Sequence, residues 1–160
     1  MGKRVIVVGG GIAGMQTALK LSAGGVSALL LECDADLGGK LTGWHKLFPS
    51  FTPAHEVLDE LRRRLPAASD VEVRTRCEVA EVARDGVTLS TGERLEADAV
   101  VVATGFTLFD ARIKEEYGYG IYDNVYTTVD IERMLNEGRV ALKDGTAPRR
   151  IAFLHCVGSR

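Results

Sequence analysis

The fold is determined by the stretch Val5-Ile6-Val7-Val8-Gly9-Gly10-Gly11-Ile12-Ala13-Gly14. Four β-branched residues in a row predict a strand that is buried on both faces, as in a parallel sheet. The glycines at positions 9, 11 and 14 fit the pattern G-x-G-x-x-G, and Ile12, Met15 and Leu19 then recur at helical spacing. A strand, a tight glycine turn and a helix are therefore predicted in succession.

Each glycine of this pattern has its own physical purpose. Gly9 allows the tight turn, Gly11 lets the backbone approach a pyrophosphate, and Gly14 lets helix and strand pack closely. The amino end of the helix offers free N–H groups to phosphates. A second buried strand, predicted at 28–31, ends on Glu32, whose carboxylate can accept hydrogen bonds from an adenosine ribose. These features indicate a dinucleotide and leave both NAD and FAD open.

Three later features favour FAD. Gly38-Gly39-Lys40 supplies a second glycine loop after the second strand. Residues 71–96, interpreted as an antiparallel β-meander, take the place of the usual crossover helix, and Ala103-Thr104-Gly105 ends a buried strand predicted at 99–102. This order resembles the FAD domain of flavoproteins of the glutathione-reductase type. The predicted fold class is α/β: a truncated, Rossmann-like parallel sheet with a small antiparallel β-meander, of the FAD/NAD(P)-binding type.

The resemblance extends to one family, the A subunits of heterodisulfide reductase. It rests on Tyr-Gly-Tyr-Gly within residues 117–131, on Cys-Val-Gly-Ser-Arg at the end of residues 151–160, and on Gly38-Gly39-Lys40 followed by Phe48-Pro49. It covers essentially the whole chain. It implies an FAD-binding, thioredoxin-reductase-like core that passes electrons among flavin, iron–sulfur clusters and partner subunits. The predicted function is accordingly the FAD-binding portion of a flavin-dependent oxidoreductase or electron-transfer subunit.

The resemblance also implies a set of cofactor-binding residues: Gly9, Gly11, Ile12, Ala13, Gly14, Glu32, Cys33, Gly39, Lys40, Val79, Ala103, Thr104 and Gly105. The first glycine turn would cradle the pyrophosphate, Glu32 would hold the adenosine ribose, and Cys33 would lie beside the adenine. Residues 39 and 40 would lie along the ribityl and flavin side. Val79 would offer its backbone to the adenine edge, and residues 103–105 would close over the cofactor.

The sequence does not identify catalytic residues, and Lys40 and Cys156 are the two candidates. Lys40 is either a positive charge near the reduced flavin or a solvent-facing loop residue. Cys156 is either reactive or a small hydrophobe in a buried strand. Cys33 and Cys77, the other two cysteines, form no CxxC pair with it, and no metal site is predicted. The Arg62–Arg64 triplet is interpreted as a solvated helix face.

Two departures from the family pattern shape the domain prediction. No cysteine follows Phe48-Pro49 until Cys77, so any iron–sulfur cluster is expected elsewhere in the protein or on another subunit. A buried strand predicted at 151–157 would open a second dinucleotide-binding domain. The predicted division is residues 1–137 as the N-terminal portion of an FAD-binding domain, and 138–160 as a linker with the first strand of an incomplete second domain.

Charge and hydropathy set the remaining expectations. The 20 Lys and Arg against 22 Asp and Glu argue against nucleic-acid binding. The apolar runs are too short for a membrane span, so a cytoplasmic protein is expected. Its expected partners are other redox subunits, iron–sulfur proteins among them, and a second copy of the chain in a homodimer. Two alternatives stay open: an NAD-binding regulatory module, and a non-catalytic interaction subunit that retains the fold.

Overall fold

The computed structural model describes residues 2–158. Strands and helices follow one another in this order: β1 Arg4–Val8, α1 Ile12–Ala23, β2 Ser27–Leu31, β3 Lys46–Leu47, β4 Thr52–Pro53, α2 Ala54–Arg64, β5 Val71–Arg74, β6 Val79–Ala83, β7 Gly86–Leu89, β8 Arg94–Glu96, β9 Ala99–Val102 and α3 Thr128–Asn136. Short 3-10 turns join some of them, including one at Gly39–Gly43.

A four-stranded parallel sheet in the order β5-β2-β1-β9 forms the centre of the fold. Its two faces explain the continuous apolar runs of β1 and β2. Val5 and Val7 point to the face that α1 and α2 cover, where they meet side chains such as Met15. Ile6 and Val8 point to the opposite face, which the antiparallel sheet β6-β7-β8 covers. The predicted Rossmann-like sheet with a small antiparallel sheet is confirmed.

The predicted meander is wrong at its beginning. Val71–Arg74 does not pair with the antiparallel strands; it lies parallel to β2 at the edge of the main sheet, with Glu72 opposite Leu29. An edge strand is covered less completely than a central one, so it carries polar residues between its valines. The antiparallel sheet itself comprises only residues within 79–96.

Within residues 103–158, α3 is the one α-helix. Thr127 caps α3 through a capping box, in which its hydroxyl accepts from the Asp130 N–H and the Asp130 carboxylate accepts from the Thr127 N–H. No helix within residues 2–158 has the length and apolar character that crossing a membrane requires.

The predicted strand at 151–157 is not formed. Its residues pair with no strand among the described residues, and Phe153 and Leu154 are 72% and 67% exposed. A run of apolar residues becomes a buried parallel strand only where neighbouring strands supply hydrogen bonds on both sides. Residues 159 and 160, which end the predicted Cys-Val-Gly-Ser-Arg pattern, lie outside the described residues.

Candidate functional site

The turn between β1 and α1 is closely packed at two glycines and open at a third. A Cβ atom on Gly9, which has φ +107°, would lie 2.4 Å from the carbonyl oxygen of Ala103. A Cβ on Gly14 would lie 1.8 Å from the carbonyl oxygen of Gly9, whereas a Cβ on Gly11 would meet nothing within 4 Å. Gly9 and Gly14 are therefore required by the fold itself, and Gly11 faces space that a ligand can enter.

The amino end of α1 opens onto this space. Gly11 is the N-cap residue, no side chain caps the helix, and its first turn carries no acidic residue. The first N–H groups of a helix have no partner within the helix, and the helix dipole adds a partial positive charge there. The turn therefore fits the phosphates of a dinucleotide, because N–H donors and a missing side chain occur at the same place.

Glu32, directly after β2, is buried beside this turn with 6% of its surface exposed. Its Oε2 accepts from the Gly10 N–H at 2.6 Å, and its Oε1 accepts from the Asp34 N–H at 2.9 Å and from the Cys33 thiol at 3.1 Å. Burial by itself would raise the pKa of Glu32, but these hydrogen bonds outweigh it and hold the pKa below the usual 4.5. Glu32 is thus an ionised acceptor at neutral pH, as a ribose-binding carboxylate must be.

The Cys33 thiol serves as a donor to this carboxylate. Its hydrogen bond to Glu32, together with partial burial and the negative charge of Glu32, raises the pKa of the thiol. A thiol with a raised pKa is a poor nucleophile. Together with Asp34, these two residues have ligand atoms within 4.8 Å of one another, a spacing that suits a metal ion. The Cys33 thiol already donates to the Glu32 carboxylate, and we assign no metal to these three residues.

The second glycine loop lies against the first. The Gly38 N–H donates to the carbonyl of Gly10 at 2.8 Å, and a parallel bridge joins Gly11 to Gly38. A Cβ on Gly39, which has φ +52°, would lie 3.3 Å from the Cα of Gly11. The two loops thus form one continuous glycine surface at the carboxyl edge of the sheet.

A third loop, after β9, reaches the turn from the other side. The Ala103 N–H donates to the carbonyl of Val8 at 2.7 Å, and Thr104 and Gly105 are exposed. Because β1 lies between β2 and β9, the loops that follow these two strands flank the glycine turn. This is the position where the strand order reverses, the usual ligand site of a doubly wound sheet. Across it, the Lys40 Nζ lies 5.0 Å from the ring centroid of Phe106.

The remaining predicted residues lie further from the turn. Val79 begins β6, two positions after Cys77, whose N–H donates to the carbonyl of Glu32. Cys156 is exposed outside every strand, with φ +65°, so it is not the small hydrophobe of a buried strand. The structure therefore does not support the buried-strand interpretation of Cys156.

Sequence reasoning missed the contact of Arg62. Its guanidinium donates to the carbonyl of Leu37 through Nε at 3.1 Å, and also through Nη2. Arg62 therefore holds the second glycine loop, and the interpretation of 62–64 as a solvated face is wrong at this residue. The available signal was its position one helical turn after Leu58, which is buried under the same loop.

A cleft of about 540 Å³ lies beside this loop. Its lining residues come from the segment after β2, the second glycine loop and α2: Asp34, Ala35, Asp36, Gly39, Thr42, His55, Leu58, Asp59 and Arg62. The cleft adjoins Gly39, so it continues the glycine surface away from the turn.

Residues 3–142 match the family described as pyridine nucleotide-disulphide oxidoreductase. This chain belongs to that family. The match includes every predicted cofactor-binding residue. It confirms the predicted oxidoreductase class, and FAD is confirmed as the cofactor of such a fold.

Two curated relatives resemble this pyridine nucleotide-disulphide oxidoreductase chain over part of its length. The first iron-sulfur A subunit of the CoB–CoM heterodisulfide reductase of Methanopyrus kandleri is 55% identical over 73 residues, which is 42% of this chain and 11% of the relative. The corresponding A subunit of Methanocaldococcus jannaschii is 45% identical over 73 residues, with the same coverage of 42% and 11%. The predicted resemblance to the A subunits of heterodisulfide reductase is confirmed over 42% of this chain and not over its whole length, and the chain spans about a tenth of the length of these relatives.

A solved structure shows the shared fold. The L-proline dehydrogenase from P. horikoshii superposes with a TM-score of 0.56 at 23% identity, covering 70% of this chain and 25% of that protein. At this level of identity the similarity concerns the fold alone.

Proposed function

We propose that this chain is the FAD-binding portion of a flavin-dependent oxidoreductase, an electron-transfer subunit similar to the A subunits of heterodisulfide reductase. The observation that carries the proposal is the open space at Gly11. It lies between two glycines that the fold itself requires, at the uncapped amino end of α1 and beside a buried, ionised Glu32.

The residues around this space fit the parts of the cofactor. The N–H groups of Ile12, Ala13 and Gly14 would hold the pyrophosphate, and Glu32 would accept from the adenosine ribose hydroxyls. Cys33 keeps the Glu32 carboxylate in place and borders the adenine end, together with the backbone at Val79. On the flavin side the site is completed by the second and third loops, with Gly39, Lys40, Ala103, Thr104 and Gly105.

When bound, FAD supplies the redox chemistry, and the protein supplies binding, orientation and electrostatics. In this chain the N–H groups of the turn would fix the position of the diphosphate. The exposed Lys40 would add positive charge where the diphosphate meets the flavin side of the cofactor. Neither Lys40 nor Cys156 is assigned a catalytic step. The electrons would enter and leave through iron–sulfur clusters elsewhere in the protein or on partner subunits; the relative from Methanopyrus kandleri is itself named an iron-sulfur subunit.

The proposal also covers the domain division, the location and the partners of the protein. Residues 1–137 would form the N-terminal portion of the FAD-binding domain, and 138–160 would lead into a second dinucleotide-binding domain. We propose a cytoplasmic location and redox partners that include iron–sulfur proteins. The open edge of β9, where Val102 is 60% exposed, is the surface through which a homodimer could form by strand pairing.

The proposal is tested by the visible absorption spectrum of the purified protein, followed by titration with FAD and with NAD. Flavin bands, or tight binding of added FAD, support it. A colourless protein that binds NAD alone would instead identify an NAD-binding regulatory module. A protein that binds neither would be a non-catalytic interaction subunit, and the proposal would be wrong.

A substitution at Gly11 makes the test more specific. Gly11→Ala places a methyl group in open space, so the fold is expected to be unchanged. The methyl group would keep the diphosphate from coming close to the backbone of the turn. FAD affinity should fall at least about tenfold, which corresponds to about 1.4 kcal/mol. Gly24→Ala, at the other end of α1, is the matched control and should leave affinity unchanged.

A further inference from the structure

Lys40 and Phe106 bridge the two loops that flank the glycine turn. Lys40 follows β2 and Phe106 follows β9, and the ammonium lies 5.0 Å from the ring centroid. That distance is within the range of a cation–π contact. Both side chains are exposed, with 54% of the Phe106 surface accessible. The contact therefore lies at the rim of the site and crosses in front of β1.

The bases of the two loops are fixed, but the bridging side chains are not. Gly38 donates to the carbonyl of Gly10, and Ala103 donates to the carbonyl of Val8, so each loop is anchored to β1 or its turn by a backbone hydrogen bond. Across the chain from 2 to 158, Lys40 makes no ion pair with any carboxylate. The aromatic face is thus the contact that holds its ammonium.

An anion at the turn would compete for this ammonium and win. A cation–π contact at an exposed site is worth about 0.5–1 kcal/mol. A hydrogen bond between charged groups is worth about 1.5–3 kcal/mol. The first turn of α1 attracts a diphosphate to the space between the two loops. Lys40 follows Gly39 directly, and an added Cβ on Gly39 would lie 3.3 Å from the Cα of Gly11, so the Lys40 side chain starts beside this space.

We propose that Lys40 and Phe106 form a latch across the entrance of the dinucleotide site, and that the diphosphate of the ligand opens it by drawing Lys40 away from the ring. Phe106 is then a positioning residue for Lys40, and it sets how readily the site opens. This inference rests on the proposed function, because it requires a diphosphate ligand.

The first test is the ring-current shift of the Lys40 side chain in NMR spectra. In the free protein its ε-methylene protons are expected upfield of those of the other lysines, and Phe106→Leu should abolish the shift. Saturating FAD or ADP should remove the upfield shift in the wild type, because each carries the diphosphate. Riboflavin, which lacks phosphate, should leave it in place. Loss of the shift with FAD but not with ADP would assign the release to the flavin and overturn the proposal.

The second test is a double-mutant cycle on FAD affinity. Phe106→Leu should tighten binding about two- to fivefold, mainly by a faster association rate, because no contact has to be broken first. Phe106→Trp, with a stronger aromatic face, should weaken it. In a Lys40→Met background both effects should vanish. Phe109→Leu, in the same segment but without the lysine contact, is the control.

The possible results distinguish a failure of the latch hypothesis from a failure of the proposed cofactor site. If FAD binds, but the Phe106 variants behave like the wild type or the Lys40 signal does not move, the latch is wrong and the proposed function stands. If neither FAD nor ADP binds and the Lys40 signal is unchanged by both, the proposed function and the latch are both wrong.

Discussion

Different interactions stabilise the two regions of the chain, a first region of residues 4–102 and a second region of residues 103–158. Every buried apolar side chain of the described chain lies between Val5 and Leu95, on the two faces of the parallel sheet. Among the described residues after Val102, Gly118 is the one that is buried. Aromatic and aliphatic side chains of this region, such as Phe153, are largely exposed. The first region is stabilised by burial, and the second by caps, turns and polar contacts.

The two regions meet at few points. Glu132 accepts from the His45 N–H at 2.6 Å, and Asn136 donates to the carbonyl of Gly43 at 3.0 Å. Lys40 and Phe106 add the contact across the site. The cofactor turn therefore belongs to the well-packed region, and substitutions there should change global stability. Substitutions in the second region should have local effects.

The largest effect is expected from Gly14→Ala. The added Cβ would lie 1.8 Å from the carbonyl oxygen of Gly9, so α1 has to move away from β1. The free energy of unfolding is expected to fall by more than about 4 kcal/mol, as for other severe steric conflicts. Urea unfolding followed by circular dichroism measures it. Gly24→Ala, where the Cβ would lie 3.4 Å from the Leu21 carbonyl, should change stability little; equal effects would contradict the packing of the turn.

A second pair of substitutions compares the two regions directly. Leu61→Ala removes a side chain that is 1% exposed in the core beneath α2, and should cost about 2–5 kcal/mol. Leu154→Ala removes one that is 67% exposed, and should change stability by less than about 0.5 kcal/mol. Thermal and urea unfolding of both variants test the comparison. A large loss for Leu154→Ala would show that the second region contributes to the core after all.

Glu32→Gln tests the carboxylate at the boundary between packing and ligand binding. Glutamine replaces one carboxylate oxygen by an NH₂ group, which would face the N–H of Gly10 or of Asp34 as a donor facing a donor. The free energy of unfolding at pH 7 should therefore fall by about 1–3 kcal/mol. The pKa of Glu32 is lowered on folding, so its contribution is complete above the unfolded value of about 4.5 and is lost as the pH falls through the folded value.

The measurement for Glu32 is the difference in unfolding free energy between wild type and variant from pH 7 down to pH 3. The difference should be constant near neutral pH and shrink below about pH 4.5. Glu60→Gln, an exposed ion-pair residue on α2, is a control with a small expected effect. A difference that grows on acidification would rule out an ionised, hydrogen-bonded Glu32.

A smaller effect than that of Glu32→Gln is expected from Thr127→Ala. The substitution removes the capping hydroxyl of α3 and leaves the N–H of Asp130 without its partner, at a cost of about 1 kcal/mol. Amide hydrogen exchange should accelerate within α3 and remain unchanged in β1 and β2. If exchange accelerated equally in β1, the second region would be coupled to the core more tightly than its few contacts indicate.

Local patterns predicted the first region well. The continuous apolar run of β1, the glycine spacing and the strand ending on Glu32 are all encoded within neighbouring residues. Val71–Arg74 was assigned to the wrong sheet, because the alternation of an edge strand resembles that of an antiparallel strand. The strand predicted at 151–157 was wrong because apolar character alone does not supply a pairing partner.

Local sequence patterns do not predict contacts between residues that are far apart in the chain. The Lys40–Phe106 pair depends on the loops after β2 and β9 lying on either side of β1, which follows from the sheet order and not from either segment alone. The bond from Arg62 to the Leu37 carbonyl depends in the same way on how α2 packs under the second loop. The individual cofactor-binding residues and the domain bounds 1–137 and 138–160 stay predictions.

The hydrogen bond from Gly10 to Glu32 constrains any redesign of nucleotide preference. Replacing the acid by a small or basic residue is the obvious way to admit a ligand with a 2′-phosphate. Here that replacement would also strip the acceptor from the N–H groups of Gly10 and Asp34. An engineered variant would need a new acceptor for both donors, so the preference cannot be changed at position 32 alone without loosening the turn that receives the ligand.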